Sequence, residues 1–129
     1  MNHPTVGYEY FVVRCVPRIE REEFINVGVV LFSHDAQYLG ALTDVDSARL
    51  LVLAPEVDLG AVDDALAFVV AVCNGAETAG PVGDGTLRSR FGWLAAPRST
   101  IVQPGPVHSG VTDDPERELA HLFARLVAR

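Results

Sequence analysis

Hydrophobic and polar positions along the chain fall first into three strand-like runs. Residues 24–32 read Phe-Ile-Asn-Val-Gly-Val-Val-Leu-Phe and are closed by Ser33, His34 and Asp35. A run apolar on both faces and rich in β-branched residues belongs in the middle of a sheet, with neighbours at both edges. Residues 8–17 supply one neighbour, with Tyr8, Tyr10, Val12, Arg14 and Val16 on one face and Glu9, Phe11, Val13 and Cys15 on the other. Residues 38–43 supply the second. The connections, 18–23 and 33–37, are too short for a crossover, so the pairing is antiparallel and the three strands form a meander.

The pattern then changes to a helical period. Asp44 or Asp46 is placed to cap a short helix over 45–54, stopped by Pro55, and Asp58 to cap a longer one. In that second helix Val62, Leu66, Val69, Val70 and Cys73 recur at three- and four-residue spacing, and Asn74-Gly75 ends it. This is the helix expected to cover the sheet. Residues 76–86 are small and glycine-rich and read as a mobile loop. A short helix over 87–95 carries Trp93, and 98–103 reads as a fourth, edge strand limited by Pro104 and Pro106. Asp113 or Asp114 caps a last helix, with Pro115 in its first turn and Leu119, Leu122, Phe123, Leu126 and Val127 as its apolar stripe. The expected fold is therefore α+β, one domain over 1–129, with an antiparallel three- to four-stranded meander sheet and helices packed mainly on one face.

Composition narrows the function classes. The 49% hydrophobic and 21% charged content is that of a folded chain. No window reaches the roughly 18 apolar residues of a membrane helix, and Met-Asn-His-Pro lacks the basic and apolar blocks of a signal peptide, so a cytoplasmic, membrane-free protein is expected. Net charge of -7 argues against nucleic-acid binding, which needs a basic face. The ten basic residues are all arginine, which the codon bias of a GC-rich genome explains. Cys15 and Cys73 read as free buried thiols, and no histidine or cysteine pair has metal-ligand spacing; no metal or cofactor is expected.

Candidate chemistry is sparse. Asn26 and Gly28 interrupt one face of the central strand, as a pocket floor or, more plainly, as a structural amide bonded to a nearby segment. Arg14, Arg18 and Arg21 flank the first hairpin, and Arg88, Arg90 and Arg98 flank Trp93; Ser99 and Thr100 add hydroxyls. If the groups converged they would make a phosphate or carboxylate site, although pairing with the excess acids is the plainer account. His108 with Ser99 and Asp113 or Asp114 has the residue types of a hydrolase triad but no nucleophile-elbow sequence, and no catalytic residue is assigned. Gly80-Pro-Val-Gly-Asp-Gly85 has neither the dinucleotide-binding glycine pattern nor a phosphate-binding lysine.

Two segments carry a resemblance. Arg14-Cys-Val-Pro-Arg18 leading into Glu23-Phe-Ile-Asn-Val-Gly-Val-Val-Leu-Phe32, and Arg90-Phe-Gly-Trp-Leu-Ala-Ala-Pro-Arg-Ser-Thr-Ile-Val-Gln-Pro-Gly-Pro-Val-His108 with Gly110, resemble the bacterial family called domain of unknown function 3037. The chain departs from the family pattern at Gly92 and Gly105, where bulkier residues are usual. The resemblance implies a small bacterial protein, often encoded beside a HipA-like kinase and so with such a kinase as a partner. It also implies that Arg14, Asn26, Arg90, Trp93, Arg98, Ser99 and His108 form one surface, to which Arg18 is adjacent. The function expected is a non-catalytic accessory or protein-interaction module. The alternative is an enzyme or small-molecule binder in which Arg14 and Arg98 grip one phosphorylated or carboxylated ligand beside His108. The sequence leaves enzymatic activity and oligomeric state undecided.

Overall fold

The computed structural model describes residues 4–128. The three β-rich runs form the antiparallel meander β1 (Val6–Cys15), β2 (Ile25–Ser33) and β3 (Tyr38–Thr43). Both β1 and β2 are interior. The second edge of β1 pairs with two short strands, β4 (Val102–Pro104) along Val13 to Cys15 and β5 (His108–Thr112) along Val6 to Tyr10. These are two halves of one edge strand, interrupted where the Gly105 N–H bonds the Val12 carbonyl at 2.8 Å and Pro106 offers no donor. The edge strand expected over 98–103 therefore begins later, and β5 extends it. Arg98 to Ile101 are used in the turn that leaves the preceding helix.

Side-chain caps set the helix starts. Carboxylates of Asp46, Asp58 and Asp114 accept from the backbone N–H of Arg49, Ala61 and Arg117, starting α1 (Ser47–Leu53), α2 (Leu59–Asn74) and α4 (Pro115–Leu126). Thr86 does the same for α3 (Leu87–Ala95). Each such cap is worth about 1 kcal/mol. Helix α2 ends at Gly75, whose φ of 64° is the left-handed region that glycine enters freely. The Gly75 N–H bonds Val72 O and the Ala76 N–H bonds Ala71 O, a Schellman end. Residues 76–86 do not form the loop expected from their glycines. Glu77–Asp84 winds into 3-10 turns kinked at Gly80, and Ala79 and Gly83 are buried there. Small side chains let this segment lie close to the end of α2.

The sheet is covered on both sides, more heavily on one. Phe11, Val13, Cys15, Ile25, Val27, Val30 and Phe32 pack with α2 and with Phe91 and Leu94 of α3. On the other face Val29 and Leu31 meet Leu119 and Leu122 of α4, with Tyr8, Tyr10 and Tyr38 at the margin. Alternation holds along β1, but β2 breaks it. Val13 pairs with Gly28 and Arg14 with Asn26, so Val27 is an extra residue, a β-bulge, and its carbonyl is bonded by the Asp44 N–H at 2.9 Å. Strict alternation would put Asn26 and Gly28 on one face. The bulge instead keeps Val27 and Ile25 in the α2 core and turns Asn26 to the α4 face.

Two glycines give opposite expectations. A Cβ on Gly28 would stand 3.0 Å from the Leu42 carbonyl oxygen and 3.1 Å from the Thr43 methyl, whereas one on Gly92, within α3, meets nothing within 4 Å. Gly28→Val should cost about 1–3 kcal/mol. Gly92→Ala should gain about 0.4–1 kcal/mol. Urea unfolding midpoints measure both, and equal midpoints for the two variants would contradict the packing described.

Candidate functional site

Most of the arginines are committed to the fold. Arg90 donates from Nη1 to the carbonyls of Val72 (3.0 Å) and Cys73 (2.9 Å) and from Nε to Gly85 (3.1 Å), so it caps the C-terminus of α2. Arg98 closes α3 in the same way, donating to Ala96 O and Trp93 O, with its guanidinium carbon 4.5 Å from the Trp93 ring centroid. A cation at a helix C-terminus meets both unsatisfied carbonyls and the negative end of the dipole. Arg18 pairs with Glu56, Arg21 with Glu23, Arg88 with Glu9 and Arg117 with Asp113.

Arg14 differs. Its guanidinium carbon lies 4.1 Å from the Phe24 ring centroid, Nε is buried with no acceptor, and the side chain makes no hydrogen bond to any described residue. Gly105 permits this placement, since a Cβ there would stand 3.1 Å from Arg14 Nε. Arg14 floors a cleft of about 370 Å³ that is also lined by Val16, Ile19, Glu22, Phe24, Ser99 and Gln103. Its ladder partner Asn26 donates from Nδ2 to the Leu126 carbonyl at 3.1 Å, tying the end of α4 to the sheet. That is the structural-amide reading of Asn26.

The eight residues singled out in the sequence thus divide. Arg14 and Ser99 share the cleft, and Asn26 is next to Arg14 in the ladder. Trp93 and Arg98 stack on each other on the α2–α3 side, where Arg98 lines a small cleft together with Phe11, Val69 and Leu94. Arg14 stands on the α4 face of β1 and lines a different cleft from Arg98, with Gln103 bordering both. Arg18 and Arg90 are spent on Glu56 and on carbonyls. His108, exposed on β5, lies against Tyr10 with ring centroids 5.2 Å apart and lines neither the Arg14 cleft nor the Arg98 pocket.

A larger concavity was not anticipated. A groove of about 650 Å³ runs between the entry to β2 and α1, lined by Phe24, Ile25, Ala48, Val52 and Leu53, with Glu22, Glu23 and Arg49 at its polar positions. Val52 is 85% exposed and Phe24 45%. The signal was present in Leu50-Leu-Val-Leu53: α1 is apolar nearly all round, yet buries only Leu50. Phe24 is the common wall, stacked on Arg14 in the cleft and open to the groove.

Both cysteines are free and buried. Burial pushes the Cys15 thiol up to about 11 and the Cys73 thiol up to about 12, so neither is a ready nucleophile at neutral pH. Burial, and then the Glu118 carboxylate that accepts its hydroxyl at 3.0 Å, raise Tyr8 to about 12. Among the described residues no cluster of three or more His, Cys, Asp or Glu is placed to hold a metal ion, and no single helix is long and apolar enough to cross a membrane.

Sheet, helices and the paired concavities at one end define a mixed α+β protein with an open antiparallel sheet. The chain belongs to the family described as Protein of unknown function (DUF3037), which matches residues 10–127. No match was found among the curated proteins or among the solved structures.

Cys15, Cys73 and Tyr8, together with Tyr38, which burial also raises, make the folded protein lose stability in alkali. Each holds its proton more tightly when folded than when unfolded, where cysteine ionises near 9.0 and tyrosine near 10.0. Their contribution is complete below those values and is lost as pH climbs through the folded ones. The urea midpoint should fall between about pH 9 and pH 11, and Cys73→Ala should flatten that fall. A midpoint that rises over this window would contradict the burial of these groups.

Proposed function

We propose that this protein is a non-catalytic interaction module that seats an apolar, base-bearing segment of a partner protein in the groove between β2 and α1. The observation that carries this reading is the groove itself, where a helix places Val52 almost wholly in water opposite Phe24. Apolar surface of this kind, rimmed by charge, is characteristic of docking sites. Among the described residues Glu22 and Arg49 on its rim have no ion-pair partner, and with the chain at a net charge of -7 a basic side chain facing Glu22 beside the apolar anchors is the complementary feature. A HipA-like kinase, the partner that the family resemblance implies, is the candidate to supply that segment.

Titration calorimetry with a purified HipA-like kinase from the same organism tests the proposal. Val52 is exposed, so Val52→Asp leaves the fold intact. An anchor residue of this kind is worth about 2 kcal/mol, which corresponds to a roughly 30-fold weaker complex. A kinase that does not bind, or that binds Val52→Asp as well as the wild type, would overturn it.

A further inference from the structure

We propose that the cleft floored by Arg14 is a binding site for a carboxylate joined to a small apolar body. The proposal is independent of what occupies the groove. The bulge at Val27 turns Asn26 to the α4 face, and α4 ends there, with its Leu126 carbonyl bonded to Asn26. Beyond that point the same face of the sheet continues through Arg14, Val16, Gln103 and the neighbouring Phe24, and no residue of α4 lines the cleft above them. Among the described residues, therefore, α4 leaves this polar floor uncovered at its end of the sheet.

The chemistry of the ligand follows from what Arg14 lacks. Buried charged donors are ordinarily hydrogen-bonded, and the other semi-buried arginines all have acceptors, Arg90 and Arg98 backbone carbonyls and Arg18 the Glu56 carboxylate. Arg14 has an aromatic ring on one side and a buried Nε, and it bonds no acceptor among the described residues. A planar guanidinium held against Phe24 presents its donors in the fork that matches an oxyanion with two oxygens.

Charge selects among such anions. One guanidinium stands alone, the Glu22 carboxylate lines the same cleft, and the chain is net negative, so a single negative charge is matched and a phosphate dianion is not. Val16, Ile19 and Phe24 give apolar walls for the body of the ligand, and the exposed Ser99, whose side chain makes no hydrogen bond to a described residue, offers a donor at the mouth. The volume of about 370 Å³ lies at the small end of known ligand sites.

Nuclear magnetic resonance of the arginine Nε–H and backbone amides during titration with sodium hexanoate tests the site, with hexan-1-ol and hexyl phosphate as comparison probes. The expected result is a saturable shift of the Arg14 Nε–H and the Ser99 amide by hexanoate, at least tenfold weaker with either comparison probe. Arg14→Gln should abolish it. Ser99→Glu, a change at an exposed position that leaves the fold intact, should weaken it at least tenfold by placing a second carboxylate at the mouth. Absence of saturation, shifts confined to Ala48 and Val52 in the groove, equal binding of hexanol, tighter binding of hexyl phosphate, or indifference to both substitutions would each overturn the proposal.

Discussion

The arrangement of this protein depends on one extra residue in β2. Regular alternation from Phe32 and Val30 would carry Asn26 into the apolar layer beneath α2, where an amide without a partner costs about 1–3 kcal/mol. Val27 absorbs that mismatch. Its side chain fills the core, its carbonyl is bonded by the Asp44 N–H, and the strand beyond it is turned over. As a result Asn26 reaches the last carbonyl of α4, and Arg14, its neighbour across the ladder, stands at the uncovered end of the same face.

From that point the molecule uses its arginines in two ways. Arg90 and Arg98 complete helix ends by bonding the carbonyls of Cys73 and Ala96 and by adding a second donor at those of Val72 and Trp93, on the heavier side of the core. Arg14 completes nothing of this kind. It rests on Phe24, and Phe24 in turn forms a wall of the apolar groove beside α1. The two concavities therefore share Phe24 and Glu22 as lining residues.

Much of the fold was legible because it is encoded locally. The strands over 8–17, 24–32 and 38–43 follow from β-branched runs joined by connections too short for anything but antiparallel pairing. Asp58, Pro115 and Asn74-Gly75 mark helix ends through their own chemistry. What was not legible depends on pairing across the chain. His108 to Thr112 includes Gly110 and follows Pro106, a poor strand by propensity, and it is a strand because β1 offers an edge. The bulge at Val27 is a property of two strands together. The functional residues divide in the same way: arginine as a residue type pointed to anions, but only the structure separates Arg14, without an acceptor, from Arg90 and Arg98, which have them. The exposed stripe of α1 was readable in Leu50-Leu-Val-Leu53.

The central claim is that Arg14 is held in place for something other than stability of the free protein. Its stacking on Phe24 contributes about 0.5–2 kcal/mol, and its buried Nε without an acceptor offsets about 1–3 kcal/mol. Urea unfolding of Arg14→Met beside Arg90→Met measures this directly. Arg14→Met should be as stable as the wild type or more so, while Arg90→Met should lose about 2 kcal/mol or more by removing the charged donors from the Cys73, Val72 and Gly85 carbonyls. An Arg14→Met loss as large as that of Arg90→Met would make Arg14 a structural residue and contradict the account.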